Sequence, residues 1–211
     1  MSNTIESLEW RYAVKKFNTS KSIGQENLEK LKTAFNLTAT SYGLQPIKMV
    51  VVQNKGVQQE LVSHSYSQPQ VAQASHVLVL CVEKSVIKDT VNGYFDKVKA
   101  VRGTSDEILE PYRNMMHTSF ENKTEEEIFL WSKHQAYIAL GNLMTVCAVE
   151  KIDSCPMEGF IPQGYSDVLG LEALGLSPVL VLPVGIRAED DMFASFKKVR
   201  KEVSESVIEI K

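Results

Sequence analysis

Three runs of branched apolar residues stand out along the chain, each bounded by polar or turn-forming positions. Runs of this length are typical of buried strands, and they predict strands at Lys48–Gln53, His76–Val82 and Pro178–Ile186. The segment Val207–Ile210, which reads V-I-E-I, predicts a fourth strand. Because the strands are few and far apart in the sequence, the pattern indicates an α+β fold rather than a regular βαβ repeat.

Between the strands, apolar residues recur every three or four positions, which predicts helices. The predicted helices are Thr4–Val14, Gln25–Leu37, Asp106–Phe120, Thr124–Lys151 and Ser166–Leu174. Thr124 and the three glutamates after it resemble a capping box with acidic side chains near a helix N-terminus. After Gln135 this long helix is apolar on nearly every face. We therefore expect it in the protein core or at an interface between subunits.

The composition is that of an ordinary globular protein, and the length suggests one domain spanning residues 1–211. A formal net charge of −3 argues against a general nucleic-acid-binding protein, which needs a basic surface to replace phosphate counterions. The most apolar run, Ala136–Val149, is shorter than the roughly 20 residues that span a bilayer. Met1–Lys15 lacks the apolar core of a signal peptide. We expect a soluble cytoplasmic protein with no membrane partner.

Several kinds of chemistry lack support in the sequence. The three cysteines, Cys81, Cys147 and Cys155, show no Cys-x-x-Cys spacing, which favours a reducing compartment over a disulfide framework. The four histidines show no metal-ligand spacing, so no metal site is predicted, and His76 is interpreted as a core histidine. The motifs of Rossmann dinucleotide sites, P-loops and serine hydrolases are absent from the sequence.

Two basic clusters lie towards opposite ends of the chain. Arg11–Lys16 falls at the end of the first predicted helix, where Lys15 lies one turn beyond Arg11 on the same face. The second cluster is Lys197–Lys201. Each cluster alone is most often a solvated surface. In an acidic chain, however, arginine and lysine side chains brought together from both clusters would form a phosphate clamp, because guanidinium binds phosphate bidentately and ammonium adds charge.

Two uncharged segments complete the candidate site. Thr40–Pro46 directly precedes the first predicted strand, and Pro156–Phe160 follows the long helix. In the second segment, Gly159 would let the backbone approach a flat ligand closely. A plain helix-to-loop turn is the simpler interpretation of that segment.

Five short motifs taken together resemble the nitroreductase family. They are Arg11-x-x-x-Lys15-x-Phe17, Thr40-Ser41-x-x-x-Gln45-Pro46, Ala74-Ser75-His76, Pro156-x-Glu158-Gly159-Phe160 and Lys198-x-Arg200. Their order and approximate intervals, from about Glu6 to Arg200, are similar to those of oxygen-insensitive nitroreductases and dihydropteridine reductases. The resemblance implies an α+β nitroreductase-like fold with a central, mainly antiparallel sheet flanked by helices. It also implies an intertwined homodimer in which the C-terminal strand is exchanged.

The resemblance further implies one FMN in each of two sites at the dimer interface. Arg11, Lys198 and Arg200 would bind the FMN phosphate. Lys15 would lie against the N1/O2 edge of the flavin, where an ammonium group stabilises the negative charge that two-electron reduction leaves on the ring. NAD(P)H would be the co-substrate.

The backbone of Glu158 and Gly159 would face flavin N5 and O4, where hydride enters and leaves. These two residues and Lys15 are therefore the expected catalytic residues. The remaining expected cofactor contacts are Tyr12, Ala13, Thr40, Ser41, Gln45, Ser67, Gln68, Gln135, Pro156 and Met157. The partner chain would contribute its Ser41. Substrate contacts are expected at Tyr42 and Tyr66.

Two positions depart from the family pattern. Family members often have His or Arg followed by Ser where this chain has Tyr12 and Ala13, so a side-chain hydroxyl is absent at position 13. Ser67 or Gln68 stands where the family has an asparagine that holds the flavin pyrimidine.

The function that the resemblance implies is an NAD(P)H-dependent oxidoreductase with a ping-pong cycle. Hydride would pass from NAD(P)H to flavin N5, after which an electron-poor acceptor would replace the nicotinamide. Nitroaromatics, quinones, enones, pterins and free flavins are the small-molecule acceptors it suggests. Two other functions stay open: a flavin-binding or storage module with little turnover, and a relative that fragments flavin or dehalogenates reductively on the same fold. Lys15 favours the oxidoreductase over storage, because storage needs no tuning of N1.

Overall fold

A four-stranded antiparallel sheet forms the centre of the computed structural model, which describes residues 3–84 and 87–211. Its strands are β1 Ile47–Val52, β2 His76–Glu83, β3 Asp153–Ser154 and β4 Leu176–Gly185, in the spatial order β1-β2-β4-β3. Ile47 pairs with Val82 and His76 pairs with Val184, so β2 is hydrogen-bonded on both sides. β1 stands at an edge of this sheet, and within the described chain no strand pairs with its outer side. The three long strands confirm the prediction from apolar runs.

Nine α-helices surround the sheet in the described part of the chain. They are α1 Asn3–Trp10, α2 Gly24–Asn36, α3 Lys55–Leu61, α4 Gln70–Gln73, α5 Ile87–Arg102, α6 Asp106–Glu121, α7 Glu125–Val149, α8 Pro162–Leu169 and α9 Val203–Ser206. The capping box of α7 is confirmed, because Glu127 N donates to Thr124 Oγ1 at 3.2 Å and Thr124 N donates to Glu127 Oε2 at 2.8 Å.

Alternate residues of β2 divide the core into two layers, because successive side chains of a strand point to opposite faces. Leu78 and Leu80 pack in one cluster with the buried side chains of α2 and α7. Val79 and Cys81 belong to the cluster on the other face, which contains the residues of the Pro156–Phe160 turn. The sheet therefore carries α7 on one side, and the side chains of Met157 and Phe160 from the predicted turn pack on the other.

The apolar stretch of α7 is buried on one side and exposed on the other. Ala136, Ala139 and Leu143 are completely buried against the sheet, whereas Tyr137 and Ile138 are 36% and 49% exposed. A helix that is apolar all round is expected to be covered all round. The outer side of α7 in the single chain is consequently an exposed and largely apolar surface.

The helices α5 and α6 pack as a pair over a small core of their own. Its buried members are Leu44, Val91, Phe95, Leu109, Met116 and Phe120. Gly43 brings the preceding loop against this pair: its φ is +74°, and a Cβ there would lie 2.8 Å from Cε2 of Tyr94. A side chain at position 43 would be strained on both counts, so glycine allows the Thr40–Pro46 segment to reach α5.

The first helix is shorter than predicted, and this changes the geometry of the basic cluster. α1 ends at Trp10 rather than at Val14. Ala13 forms an isolated parallel bridge with Ser154 of β3. Arg11 and Lys15 therefore lie on an irregular segment, and the prediction that they stand one helical turn apart is wrong.

Two further predictions fail in detail. The helix predicted at Ser166–Leu174 is α8, which begins at Pro162 and ends before Gly170, whose φ of +64° is the usual left-handed helix terminus. Val207–Ile210 forms no strand within the single chain, and Val207, Ile208 and Ile210 are 55%, 89% and 95% exposed. Exchange of this segment onto a partner's sheet stays a prediction.

Candidate functional site

The two basic clusters meet at one cavity of about 480 Å³. Five of its lining residues are cationic: Arg11, Lys15, Lys197, Lys198 and Arg200. Aromatic side chains and the predicted turn form other parts of its wall, with Tyr12, Phe193, Phe196 and Pro156 among them. Glu9 is the one acidic residue that lines it among the described residues. The cavity is thus a strongly cationic site in a chain of net charge −3.

The cations of this cavity stand close together without carboxylate partners. Burial and the neighbouring Arg200 guanidinium lower the pKa of Arg11. Burial, followed by Arg11 and Arg200, lowers the pKa of Lys198. In the described part of the chain, none of the five cations forms an ion pair, and Arg11 Nε is buried without a hydrogen-bond partner. A bound anion would reduce the repulsion among these cations and would accept a hydrogen bond from Arg11 Nε.

Asp191 lies beneath this cavity and accepts four hydrogen bonds. Its Oδ2 accepts from Tyr12 Oη at 2.9 Å, Lys15 N at 3.0 Å and Lys16 N at 3.2 Å. Its Oδ1 accepts from Phe193 N at 3.2 Å. Burial opposes ionisation, since Asp191 is only 5% exposed, but these donors hold its pKa below the ordinary value. Sequence reasoning missed Asp191, although an aspartate directly before a short turn is a known capping signal.

Arg187 packs against two aromatic residues that line the cavity, Trp10 and Tyr12. Its guanidinium carbon lies 4.3 Å from the centroid of the Trp10 ring and 4.6 Å from that of Tyr12. Its Nε donates to Asp153 Oδ1 at 2.7 Å, and its main-chain N donates to Asp153 Oδ2 at 2.7 Å. Tyr12 is thereby held by its ring face and by its hydroxyl, which accounts for a tyrosine at a position where the family often has a basic residue.

The glycine turn contacts the segment predicted to hold the flavin pyrimidine. Gln68 Nε2 donates to the carbonyl of Gly159 at 3.0 Å, while Gln68 Oε1 accepts from Gln70 Nε2 at 3.0 Å. The Glu158 carboxylate accepts from the Tyr137 hydroxyl at 2.8 Å. The structure therefore brings Gln68 to this turn. Met157 does not present its side chain, because it is buried and its main chain pairs with Val181 of β4.

The Thr40–Gln45 segment lies elsewhere in the single chain. Ser41 N donates to Gln135 Oε1 at 2.8 Å, and Gln135 Nε2 donates to the carbonyl of Trp131 at 3.0 Å. Tyr42 packs on the edge of Phe120, with ring centroids 6.1 Å apart. Within one chain, the structure brings neither this segment nor the buried Gln135 to the cationic cavity. Instead, Gln135 fixes the loop at Ser41.

Backbone strain concentrates in the predicted site. Among the described residues, five other than glycine have positive φ: Tyr42, Gln45, Tyr66, Ser67 and Lys151. All but Lys151 belong to segments predicted to contact cofactor or substrate. Such conformations persist only where the surrounding structure enforces them, and they cluster at binding sites. The strain thus supports a functional role for both segments.

The cysteines and histidines do not add a second kind of chemistry. Burial raises the pKa of the Cys81 and Cys147 thiols to about 12, so neither is a thiolate near neutral pH. His76 is buried with Nδ1 2.9 Å from Ser75 Oγ, in agreement with a core histidine. In the ranges the structure describes, no group of metal-ligating side chains could hold an ion. No described helix is long and apolar enough to cross a bilayer.

Comparison with known proteins gives a family match and close structural neighbours. The model of the nitroreductase family matches residues 8–186. The major NAD(P)H-flavin oxidoreductase of Aliivibrio fischeri is 32% identical, with 93% of this chain and 94% of that protein covered. A nitroreductase-like protein from Streptococcus mutans superposes with a TM-score of 0.86 at 23% identity, over 100% of both chains. A structure from Exiguobacterium sibiricum in complex with FMN gives 0.85 at 18% identity, over 100% of this chain and 98% of that one.

Proposed function

The chain belongs to the nitroreductase family, and on that premise we propose that it is an FMN-dependent NAD(P)H oxidoreductase whose cofactor occupies the cationic cavity. The observation that carries the proposal is the meeting of Arg11, Lys15, Lys198 and Arg200 around one space. The buried, unpartnered Nε of Arg11 fits a phosphate oxygen. FMN offers both the phosphate for these cations and a flat ring for the adjoining turn.

When bound, FMN supplies a ring that accepts hydride from a nicotinamide and passes two electrons to a second substrate. Arg11, Lys198 and Arg200 hold the phosphate by charge-assisted hydrogen bonds. Lys15 lies on the wall of the same cavity with its side chain exposed, and its ammonium would favour negative charge on the N1/O2 edge of a bound flavin. In this proposal, Arg11, Lys198 and Arg200 anchor the phosphate, whereas Lys15 adjusts the reduction potential of the ring.

The glycine turn positions the reactive edge of the ring. Pro156 lines the cavity, and Gly159, three residues later, is fixed by the amide of Gln68. A Cβ at Gly159 would come within 3.4 Å of Gln68 Nε2 and 3.7 Å of Tyr66 Cδ2. We propose that the Gly159 N–H would face flavin O4 or N5 and that Tyr66, which lies beside this glycine, would contact the substrate.

A flavin ring with one face open to the cavity would accept many electron-poor molecules. Among the cavity residues the structure describes, Glu9 is the one side chain of the usual proton-transfer types other than the cations and Tyr12. We propose nitroaromatics, quinones and related electron-poor molecules as acceptors in a two-step exchange with NAD(P)H. A storage module or a flavin-fragmenting or dehalogenating relative would bind the cofactor equally but fail to reduce this panel.

A homodimer would complete the site and cover the apolar surfaces. The exposed apolar side chains include Ile5 and Leu8 on α1, Phe129, Leu130, Tyr137, Ile138 and Val149 on α7, and Phe193, Phe196, Val207, Ile208 and Ile210. We propose that this surface is an obligate interface, of the class that buries on the order of 2,000–5,000 Å². The partner's Ser41 loop would close the cavity, and residues 207–210 would pair with the open edge of the partner's β1.

The test is direct. Purified protein is titrated with FMN and with riboflavin, and the holoprotein is then mixed anaerobically with NADH or NADPH while the visible flavin absorbance is followed. We expect micromolar or tighter FMN binding, bleaching by the nicotinamide, and recovery of absorbance on addition of quinone or nitroaromatic. Absence of FMN binding would refute the cofactor assignment. Binding without bleaching would instead favour the storage function.

A further inference from the structure

Asp191 joins the two halves of the cationic cavity through hydrogen bonds to both. One carboxylate oxygen accepts from the main-chain N–H groups of Lys15 and Lys16, and the other accepts from Phe193 N. We propose that Asp191 is the positioning residue of the flavin site, holding Lys15 and the turn that leads to Lys198 in their binding arrangement. This assignment rests on the proposed function, because it concerns the same cavity.

The segment that carries Lys15 depends on acceptors from elsewhere in the fold. α1 has ended at Trp10, and although Arg11 N still donates to the Ser7 carbonyl at 3.1 Å, the N–H groups of Val14, Lys15 and Lys16 have no helical acceptors. Val14 N donates to the carbonyl of Ser154 at 3.3 Å, whereas Lys15 N and Lys16 N both donate to Asp191. Main-chain donors without partners are costly to bury. The Asp191 carboxylate therefore sets the main-chain path from which the Lys15 side chain projects.

The same carboxylate fixes the second basic cluster. Asp191 caps the 3₁₀ turn Met192–Ser195 through Phe193 N, and Ala194 N donates to the Asp191 carbonyl at 3.0 Å. Phe193 and Ala194 line the cavity, and the chain continues directly into Lys197 and Lys198. An ionised carboxylate has two acceptor oxygens with several lone pairs, which is what four converging donors require.

Neutralising Asp191 should change FMN affinity and flavin potential in opposite directions, depending on whether Asp191 acts by its position or by its charge. Asp191 is an anion close to a cationic cavity, so through-space repulsion alone would weaken phosphate binding and disfavour negative charge on the reduced flavin. Neutralising Asp191 would then strengthen FMN binding and raise the flavin potential. If Asp191 acts by position, neutralising it loosens Lys15 and the capped turn, so FMN affinity and flavin potential both fall.

Asp191→Asn is the discriminating variant, and Asp190→Asn is its matched control. An amide in either orientation turns an NH₂ group towards one set of N–H donors, so some of the four bonds are lost. Asp190 is exposed and forms an ion pair with the Lys16 ammonium, so its neutralisation removes the same charge while leaving the hydrogen bonds from Lys15 N, Lys16 N and Phe193 N to Asp191 in place. Tyr12→Phe removes one donor to Asp191 and leaves the carboxylate.

The experiment measures FMN affinity by fluorescence titration and flavin potential by dye equilibration. We expect Asp191→Asn to weaken FMN binding about tenfold or more and to lower the flavin potential. Tyr12→Phe should change both quantities less. Asp190→Asn should keep its FMN affinity within about twofold of the wild type. Should Asp191→Asn fail to fold, Asp191→Glu keeps the charge and displaces the carboxylate oxygens. The positioning explanation still predicts weaker FMN binding by this variant, whereas charge alone predicts no change in FMN affinity.

Two negative results have different meanings. Unchanged or tighter FMN binding by a folded Asp191 variant, with normal binding by the wild-type protein, would overturn the positioning assignment alone. Failure of the wild-type protein to bind FMN would overturn the proposed function and this assignment with it.

Discussion

Replacing Arg11 with methionine should weaken FMN binding about 10- to 150-fold while leaving riboflavin binding unchanged. Methionine keeps the unbranched apolar stem of the side chain and removes its donors, one of which is buried and unpaired. A hydrogen bond to a charged group contributes about 1.5–3 kcal/mol, and about 1.4 kcal/mol is a tenfold change in Kd. Because only FMN carries a phosphate, the loss should be confined to FMN.

The same substitution should not destabilise the protein without ligand. Burial and Arg200 lower the pKa of Arg11, so the charged guanidinium is disfavoured where it stands. Its removal eliminates a buried unpaired donor and relieves repulsion with Lys198 and Arg200. We expect ligand-free Arg11→Met to have the Tm of the wild-type protein or a higher one, and to gain less Tm than the wild type when FMN is added.

Fluorescence titration with both flavins and calorimetric unfolding with and without FMN test this pair of expectations. Arg102→Met is the matched control, because Arg102 is exposed in the last turn of α5 and does not line the cavity. Equal losses of FMN and riboflavin affinity would show that Arg11 supports the fold of the cavity rather than binding phosphate. A ligand-free Tm several degrees below that of the wild type would refute the reasoning from the unpaired donor.

Three further outcomes are expected. Lys15→Met should lower the flavin potential by about 30 mV for each ~1.4 kcal/mol of attraction lost, whereas Lys16→Met, which removes a cation paired with Asp190, should leave it unchanged in a redox titration. Deletion of residues 203–211 should raise the dissociation constant of the dimer, measured by light scattering over a dilution series, and should weaken FMN binding in a fluorescence titration. A dimer of unchanged stability would refute strand exchange. Because the folded pKa of Asp191 lies below its ordinary 3.8, its stabilisation is complete above that pH and is lost as the pH falls through the folded value. The Tm difference between wild type and Asp191→Asn should therefore be constant near neutrality and shrink in acid; a constant difference throughout would mean that ionisation is irrelevant.

The sheet and the long helix were predictable because their signals are local. The apolar run of β2 and the capping box of α7 depend on neighbouring residues, and both appear where the sequence placed them. The end of α1 was not predictable in this way. The pattern of residues 4–14 suits a helix, but Ser154 and Asp191, more than a hundred residues away, supply other main-chain partners.

The candidate site also contains residues that local sequence signals predict and residues that depend on partners distant in the sequence. The cations of the cavity occur in two recognisable clusters of the sequence, and the structure brings Arg11, Lys198 and Arg200 to one cavity as expected. Asp191 and Arg187 bond instead to main-chain groups and aromatic faces distant in the sequence, so they look like surface charges in a linear reading. The cofactor contact of Gln135 stays a prediction, since within one chain its side chain accepts a hydrogen bond from Ser41 N, in the loop expected to reach the partner's site.

A ribosome makes the two sides of the cavity at widely separated times. Lys15 precedes Asp191 by 176 residues, an interval of about 9–35 s at roughly 5–20 residues per second. Until residues 187–200 have left the exit tunnel, the N–H groups of Lys15 and Lys16 lack their carboxylate acceptor and the cationic cavity is incomplete. With the cofactor in this cavity, as proposed, we expect flavin to enter a largely finished fold rather than to guide the nascent chain. Cells grown without riboflavin should accumulate folded, empty protein in pulse-labelling rather than lose it during synthesis.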